Sequence, residues 1–223
     1  MAQPWQILDK TETPDGILEL RKRGENDYLI MINNRVLMNS SANRSEIVLG
    51  EQACKLVASR KNPLVLIGGL GMALTLRAAL DSLPASAQVV VAELNPVVVS
   101  WCRGPLAGLT KNAASDPRVT IVSDDVARVI NQAARAEQKY DAIIIDLYEG
   151  PGSDPDAKDD PFYGNRALMT TAAALAPGGV FAVWGEITDT AFVKRLAAAG
   201  FSVERLRPGK GGLRHVIYVA RLI

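Results

Sequence analysis

Five carboxylates and three glycines carry the chemistry that can be read from this sequence. Gly68, Gly69 and Gly71 follow the apolar run at residues 64–67, and a helical pattern starts directly after them. A strand that breaks into glycines and restarts as a helix leaves backbone N–H groups free at a helix N-terminus. It also removes the Cβ atoms that would hold a ligand away from them. Glu93 ends a second apolar run, VVVAE. It lies about 25 residues beyond Gly68, close to the separation at which nucleotide-binding folds set an acid against ribose hydroxyls. Asp124, Asp125, Asp146 and Glu149 fall at or just past the ends of two further apolar runs. Singly, each has a plain explanation: Asp124 or Asp125 as a helix cap, Glu149 as a charge in water. As a set they converge on one crevice beyond the carboxyl ends of a sheet, where ligands bind in such folds. Asp146 in that crevice can orient a nucleophile and take up its proton. Nucleoside binding is therefore the leading function.

The elements needed to place these residues are visible in the patterning. From Pro63 onward, strands at residues 64–67, 89–93, 119–122, 142–145 and 180–184 alternate with helices at 72–83, after Asn95-Pro96, after Asp124-Asp125, from Asn165 to about Leu175, and from Thr188 or Asp189 to Gly200. Strands at 201–206 and 215–220 follow with no helix between them, so this last pair must be antiparallel. The alternation calls for an α/β fold, a mostly parallel sheet with helices on both faces. Ahead of it, short strands at 17–20, 28–32 and 35–38 form a small antiparallel β unit, with Asn33-Asn34 suited to a hairpin turn. A helix over 45–59 joins the two parts. We divide the chain into residues 1–50 and 51–223.

Composition narrows the function classes. The 223 residues carry a formal net charge of +1 and no long basic run, which argues against nucleic acid as a partner. Two cysteines are too few for a disulfide framework or a thiolate metal site, and no group of His, Cys and acid has metal-ligand spacing, so no metal is expected. His215, the single histidine, falls in an apparent strand and is given a structural role. No stretch is long enough to span a bilayer and no signal core opens the chain, so a cytoplasmic protein is expected. The thin antiparallel unit should gain cover from a second subunit, giving a homodimer or larger assembly.

In order and spacing, IGGLG, AELNPVVV, SDDV, YDAIIIDLYEGP and FYGNRALMTTAAALAPGGVFAVWG resemble the spermidine synthase family. The N-terminal TPDGILELR and YLIMINNRVLM are similar to that family's β-domain. The resemblance implies a methyltransferase-like Rossmann fold and a sulfonium donor, S-adenosylmethionine or its decarboxylated form. It implies that Gly68, Gly69 and Gly71 bind the donor, that Glu93 holds its ribose, and that Asp125, beside Asp124, meets the adenine amino group. Asp146 and Glu149 match the family's paired catalytic acids. The acceptor would be a small molecule, possibly an amine.

Two departures bear on the reaction. Leu70 stands where the family has an aspartate that helps to hold the donor's aminopropyl ammonium. Arg44-Ser45-Glu46 stands where it has a tyrosine-histidine-glutamate triplet bordering the amine site. An arginine beside a polycation would repel it and cannot shed its proton. On these grounds methyl transfer from S-adenosylmethionine is expected ahead of aminopropyl transfer, with a catalytically silent nucleoside-binding scaffold as a third reading.

Overall fold

The computed structural model describes residues 3–152, 158–209 and 215–223. Part of the polar 154–160 loop, and of the 208–212 turn, lies outside these residues. Four antiparallel strands open the chain in sequential order: β1 (Gln6–Thr13), β2 (Gly16–Arg23), β3 (Asp27–Ile32) and β4 (Arg35–Asn39). Asn33 and Asn34 adopt positive φ between β3 and β4, as a two-residue hairpin requires. β1 was not anticipated. It is a sheet edge, exposed or half-exposed along its length, and it is held by ladder hydrogen bonds to β2 instead of by an apolar face.

Helix α1 (Arg44–Lys55) leads into the large sheet. Its strands are β5 (Leu64–Gly68), β6 (Gln88–Ala92), β7 (Val119–Val122), β8 (Tyr140–Ile145), β9 (Leu175–Gly185), β10 (Phe201–Leu206) and β11 (Val216–Leu222). The helices are α2 (Leu74–Ser82), α3 (Pro96–Arg103), α4 (Val126–Arg135), α5 (Asn165–Ala174) and α6 (Thr190–Ala198). The spatial order is β10-β11-β9-β8-β5-β6-β7. β5 through β9 pair in parallel, and β11 runs antiparallel between β9 and β10. This is the expected α/β architecture with its antiparallel final strand.

The central strands of the sheet are buried on both faces because they carry apolar residues at successive positions. In β8, Ala142 and Ile144 pack with α1, α2 and α3, whereas Ile143 and Ile145 pack with α4, α5 and α6. Leu18, Leu20, Tyr28 and Ile30 of the small sheet join the first of these cores. Asp9 accepts a hydrogen bond from Trp101 Nε1 at 2.7 Å, and the Tyr28 hydroxyl donates to the Pro105 carbonyl at 3.1 Å. Thus the inner face of the antiparallel unit is covered by its own chain, through α3, and the argument for a second subunit reduces to the sheet edges.

Residue 50 falls inside α1, which crosses it without a break. We propose that the division between units lies instead at residues 40–43, where the chain leaves one sheet for the other. Gly50 has a different reason to be glycine. A Cβ there would sit 2.5 Å from the Thr75 carbonyl and 3.0 Å from Ala78 Cβ, so α1 and α2 touch at this point. Gly50→Ala gains about 1 kcal/mol of helix propensity but overpacks this contact at a cost of about 1–3 kcal/mol. The expected outcome is a net loss of stability, read as a lower urea midpoint with unchanged slope. A raised midpoint would show that the two helices are free to separate.

Candidate active site

Strand order reverses between β5 and β8: the chain leaves β5 toward β6 and β7, then returns on the other side as β8. A crevice opens at such a switch point. The Asp146 N–H donates to the Gly68 carbonyl at 2.9 Å, which fixes Asp146 beside the glycine loop. A cavity of about 550 Å³ lies here, between the carboxyl ends of the large sheet and strands β2 to β4 of the small one. Gly69, Gly71, Glu93 and Asp146 line it, so four of the expected site residues meet in one place.

The glycine loop is more closed than its sequence suggests. Gly68 is glycine because Val126 of α4 packs against it, with Cγ2 2.6 Å from where a Cβ would stand. Gly69 (φ +90°) backs onto the Asp146 carbonyl, and Gly71 (φ +50°) onto Met38 Sδ. The N–H of Leu70 donates to Glu93 Oε2 at 2.9 Å, and that of Met72 points at Met38 Sδ at 3.2 Å. Ala73, in the left-handed region at φ 60°, delays α2 to Leu74, beyond the expected start at Met72.

Glu93 is buried, and its two oxygens bind the N–H groups of Leu70 and Asn95 at 2.9 and 2.8 Å. It therefore ties the loop after β5 to the loop after β6 while still facing the cavity. Asp125 caps α4 by accepting from the Ala127 N–H at 2.7 Å, and Asp124 pairs with Arg128 at 3.4 Å. Neither is in the cavity wall. Glu149 is exposed, outside the lining, and its carbonyl accepts from the buried Tyr163 hydroxyl at 3.2 Å. Tyr163 packs on Phe192 in the core; Tyr148 is the tyrosine at the cavity, its hydroxyl taking a 2.6 Å hydrogen bond from Arg35 of β4.

Three wall residues were not singled out as site residues. Glu46 is the third helical residue of α1 and is buried; Glu186 follows β9; His215 precedes β11. His215 is thus a cavity residue as well as a packing one. Its ring stands edge-on to Trp184, 4.8 Å between centroids, and its Nδ1 lies 3.0 Å from Ser45 Oγ. Nothing local in the sequence connects residues 45 and 215; only the position of α1 across β9 and β11 does.

Asp146 has a strongly perturbed environment. Loss of solvent pushes its carboxyl up to about 7. A hydrogen bond from Thr75 opposes the rise, and the nearby Glu46 charge adds to it. Thr75 Oγ1 lies 2.5 Å from Asp146 Oδ2 and 3.2 Å from the Glu46 carbonyl. With Asp146 ionised, the hydroxyl donates to it. With Asp146 protonated, the carboxyl can donate to Thr75, whose own proton turns to the Glu46 carbonyl. Both charge states are then hydrogen-bonded, so a proton can be taken up near neutral pH without stranding a buried polar atom. Thr75→Val keeps the shape and removes the hydroxyl. Asp146, followed by carbon-13 NMR of its carboxyl, is expected to titrate near 7 in the wild type and higher in the variant. An unchanged or lower midpoint would contradict the role given to Thr75.

The comparisons with known proteins converge. Residues 46–192, about two thirds of the chain, match the spermine/spermidine synthase domain. A polyamine aminopropyltransferase of Shewanella oneidensis is 29% identical over 193 residues, 80% of this chain and 33% of that protein. One of Mycobacterium tuberculosis is 33% identical over 150 residues, 64% of this chain and 27% of that protein. The chain thus matches about a third or less of the length of these relatives. The crystal structure of spermidine synthase from Thermotoga maritima has a TM-score of 0.74 at 18% identity. It covers 97% of this chain and 72% of its own, a likeness of fold. With the sheet order and the Gly69–Glu93–Asp146 crevice in place, the domain match shows that the chain belongs to the spermine/spermidine synthase family.

Proposed function

We propose that this chain transfers the aminopropyl group of decarboxylated S-adenosylmethionine to an amine. The observation that carries the reading is the charge of the cavity wall, whose charged members among the described residues are Glu46, Glu93, Asp146 and Glu186. Such a wall favours cations. Decarboxylated S-adenosylmethionine brings a sulfonium and an ammonium with no carboxylate, whereas S-adenosylmethionine adds a carboxylate that this wall repels. At about 4 Å two like charges repel by about 1 kcal/mol in water and about 4 kcal/mol at a surface-like dielectric, enough to decide between donors. The names of the curated relatives agree with this reading.

The two departures that favoured methyl transfer lose their force. Leu70 is 4% exposed and belongs to the hydrophobic core, with only its N–H turned to Glu93, so its side chain is not a surface on which a donor ammonium would rest. Arg44 is exposed and outside the cavity lining, so it does not confront a bound cation. Glu46, two residues further along α1 and buried, does.

In the proposed reaction the acceptor nitrogen, as a neutral amine, attacks the aminopropyl carbon bonded to sulfur. A C–N bond forms, the C–S bond breaks with its electron pair going to sulfur, and methylthioadenosine leaves as a neutral thioether. The proton on the new ammonium passes to Asp146, whose raised affinity for protons suits that transfer. Glu93 and Asn95 at the cavity wall suit the ribose, and Asp125, with Oδ1 on the helix cap, keeps Oδ2 for an adenine amino group. Glu149 is placed to meet an acceptor only if its exposed side chain turns inward.

Incubation with each donor and a diamine, followed by product identification, tests the reading. The expected product is methylthioadenosine, dependent on both decarboxylated donor and amine; S-adenosylhomocysteine from S-adenosylmethionine would establish methyl transfer instead. Asp146→Asn is expected to lower kcat by about 10²–10⁴-fold. In the wild type, activity rises with pH through about 7, as Asp146 loses the proton that blocks it. We further propose that the enzyme acts in the cytoplasm, in keeping with its two free, buried cysteines, and as a homodimer. Exposed Ile7, Leu8 and Val36 lie on the edge strands of the small sheet. Light scattering is expected to give twice the chain mass, and a concentration-independent monomer would remove the dimer.

A further inference from the structure

We infer that His215, oriented by Ser45 and Glu46, is a specificity-determining residue that receives the distal ammonium of a diamine acceptor. The inference rests on the aminopropyl-transfer reading and extends it to the acceptor.

A continuous hydrogen-bonded chain carries it. Ser45 Oγ lies 2.6 Å from Glu46 Oε2 and 3.0 Å from His215 Nδ1. A carboxylate only accepts, so the Ser45 proton goes to Glu46, and Ser45 Oγ then accepts from Nδ1–H of His215. That assigns the neutral imidazole a tautomer with its lone pair on Nε2. Ser45 and Glu46 are buried, so Nδ1 is turned to the protein and the opposite ring edge is the one left for the cavity that His215 lines. The edge-on contact with Trp184 holds the ring plane. An imidazole fixed in this way accepts a hydrogen bond from a cation and discriminates against neutral groups that cannot donate.

The same chain relates His215 to the reacting end. Glu46 reaches Thr75 through its carbonyl, and Thr75 reaches Asp146. Asp146 and His215 therefore stand at the two ends of one polar seam that crosses β8, α2, α1 and β11, facing the same cavity. A diamine bound along it presents one nitrogen to Asp146 and the other to His215, with Glu46 between them balancing the charge. A monoamine satisfies the first contact and leaves the second unused.

The test is the ratio of kcat/KM for 1,4-diaminobutane to that for butylamine, measured with decarboxylated S-adenosylmethionine by methylthioadenosine release. His215→Phe keeps the ring against Trp184 and removes the acceptor nitrogen; the ratio is expected to fall at least tenfold, chiefly through KM for the diamine. His215→Gln places an amide oxygen near the Nε2 position and is expected to restore part of the ratio, and Ser45→Ala to lower it by a smaller factor. Melting temperatures of all three identify any variant that fails to fold, and the remaining ones then decide. A ratio unchanged in the folded variants overturns the inference and leaves aminopropyl transfer standing. No amine-dependent methylthioadenosine from the wild type overturns that reading and the inference together.

Discussion

The close approach of α1 to α2 is the contact on which the site depends. Gly50 has no side chain, so the second helix lies against the first, and Thr75 in the first turn of α2 comes within reach of both the Glu46 carbonyl and the Asp146 carboxyl. Two acids that would each be well solvated in an open cleft are thereby drawn to one wall. Desolvation then raises the proton affinity of Asp146, the neighbouring Glu46 adds to the rise, and the Thr75 hydroxyl keeps either protonation state hydrogen-bonded. A close helix–helix contact outside the cavity lining thus sets the electrostatics of the cavity.

Much of this architecture is written locally. The apolar runs before Gly68, Glu93 and Asp146 are short, continuous and bounded by turn residues, which marks strands buried on both faces, and the helices between them carry plain stripes. α4 buries Val126, Val129, Ile130 and Ala133 at helical spacing under a cap from Asp125. What was not legible depends on distant parts of the chain. β1 is half-exposed and polar, and becomes a strand only because β2 offers it a ladder. β9 begins at Leu175 and runs through Pro177-Gly178-Gly179, residues that were expected to separate helix from strand.

The site was legible in the same uneven way. Gly69, Gly71, Glu93 and Asp146 meet as their positions at strand ends require. Gly68 packs against Val126, Asp125 caps α4 and Asp124 pairs with Arg128 of the same helix, all three outside the cavity lining. Residue type alone does not place Leu70 and Arg44, whose side chains lie outside the cavity lining, one in the core and one in solvent. Conversely Glu46, Glu186 and His215 are separated by up to most of the chain, and only the packing of α1 over β9 and β11 brings them to one wall.

The central claim is that a wall of carboxylates selects a doubly cationic donor that carries no carboxylate of its own. Calorimetric dissociation constants for decarboxylated S-adenosylmethionine and for S-adenosylmethionine, at low and at high salt, test it most directly. The account predicts tighter binding of the decarboxylated donor, with the gap narrowing as salt screens the wall. Equal or tighter binding of S-adenosylmethionine at low salt would contradict it.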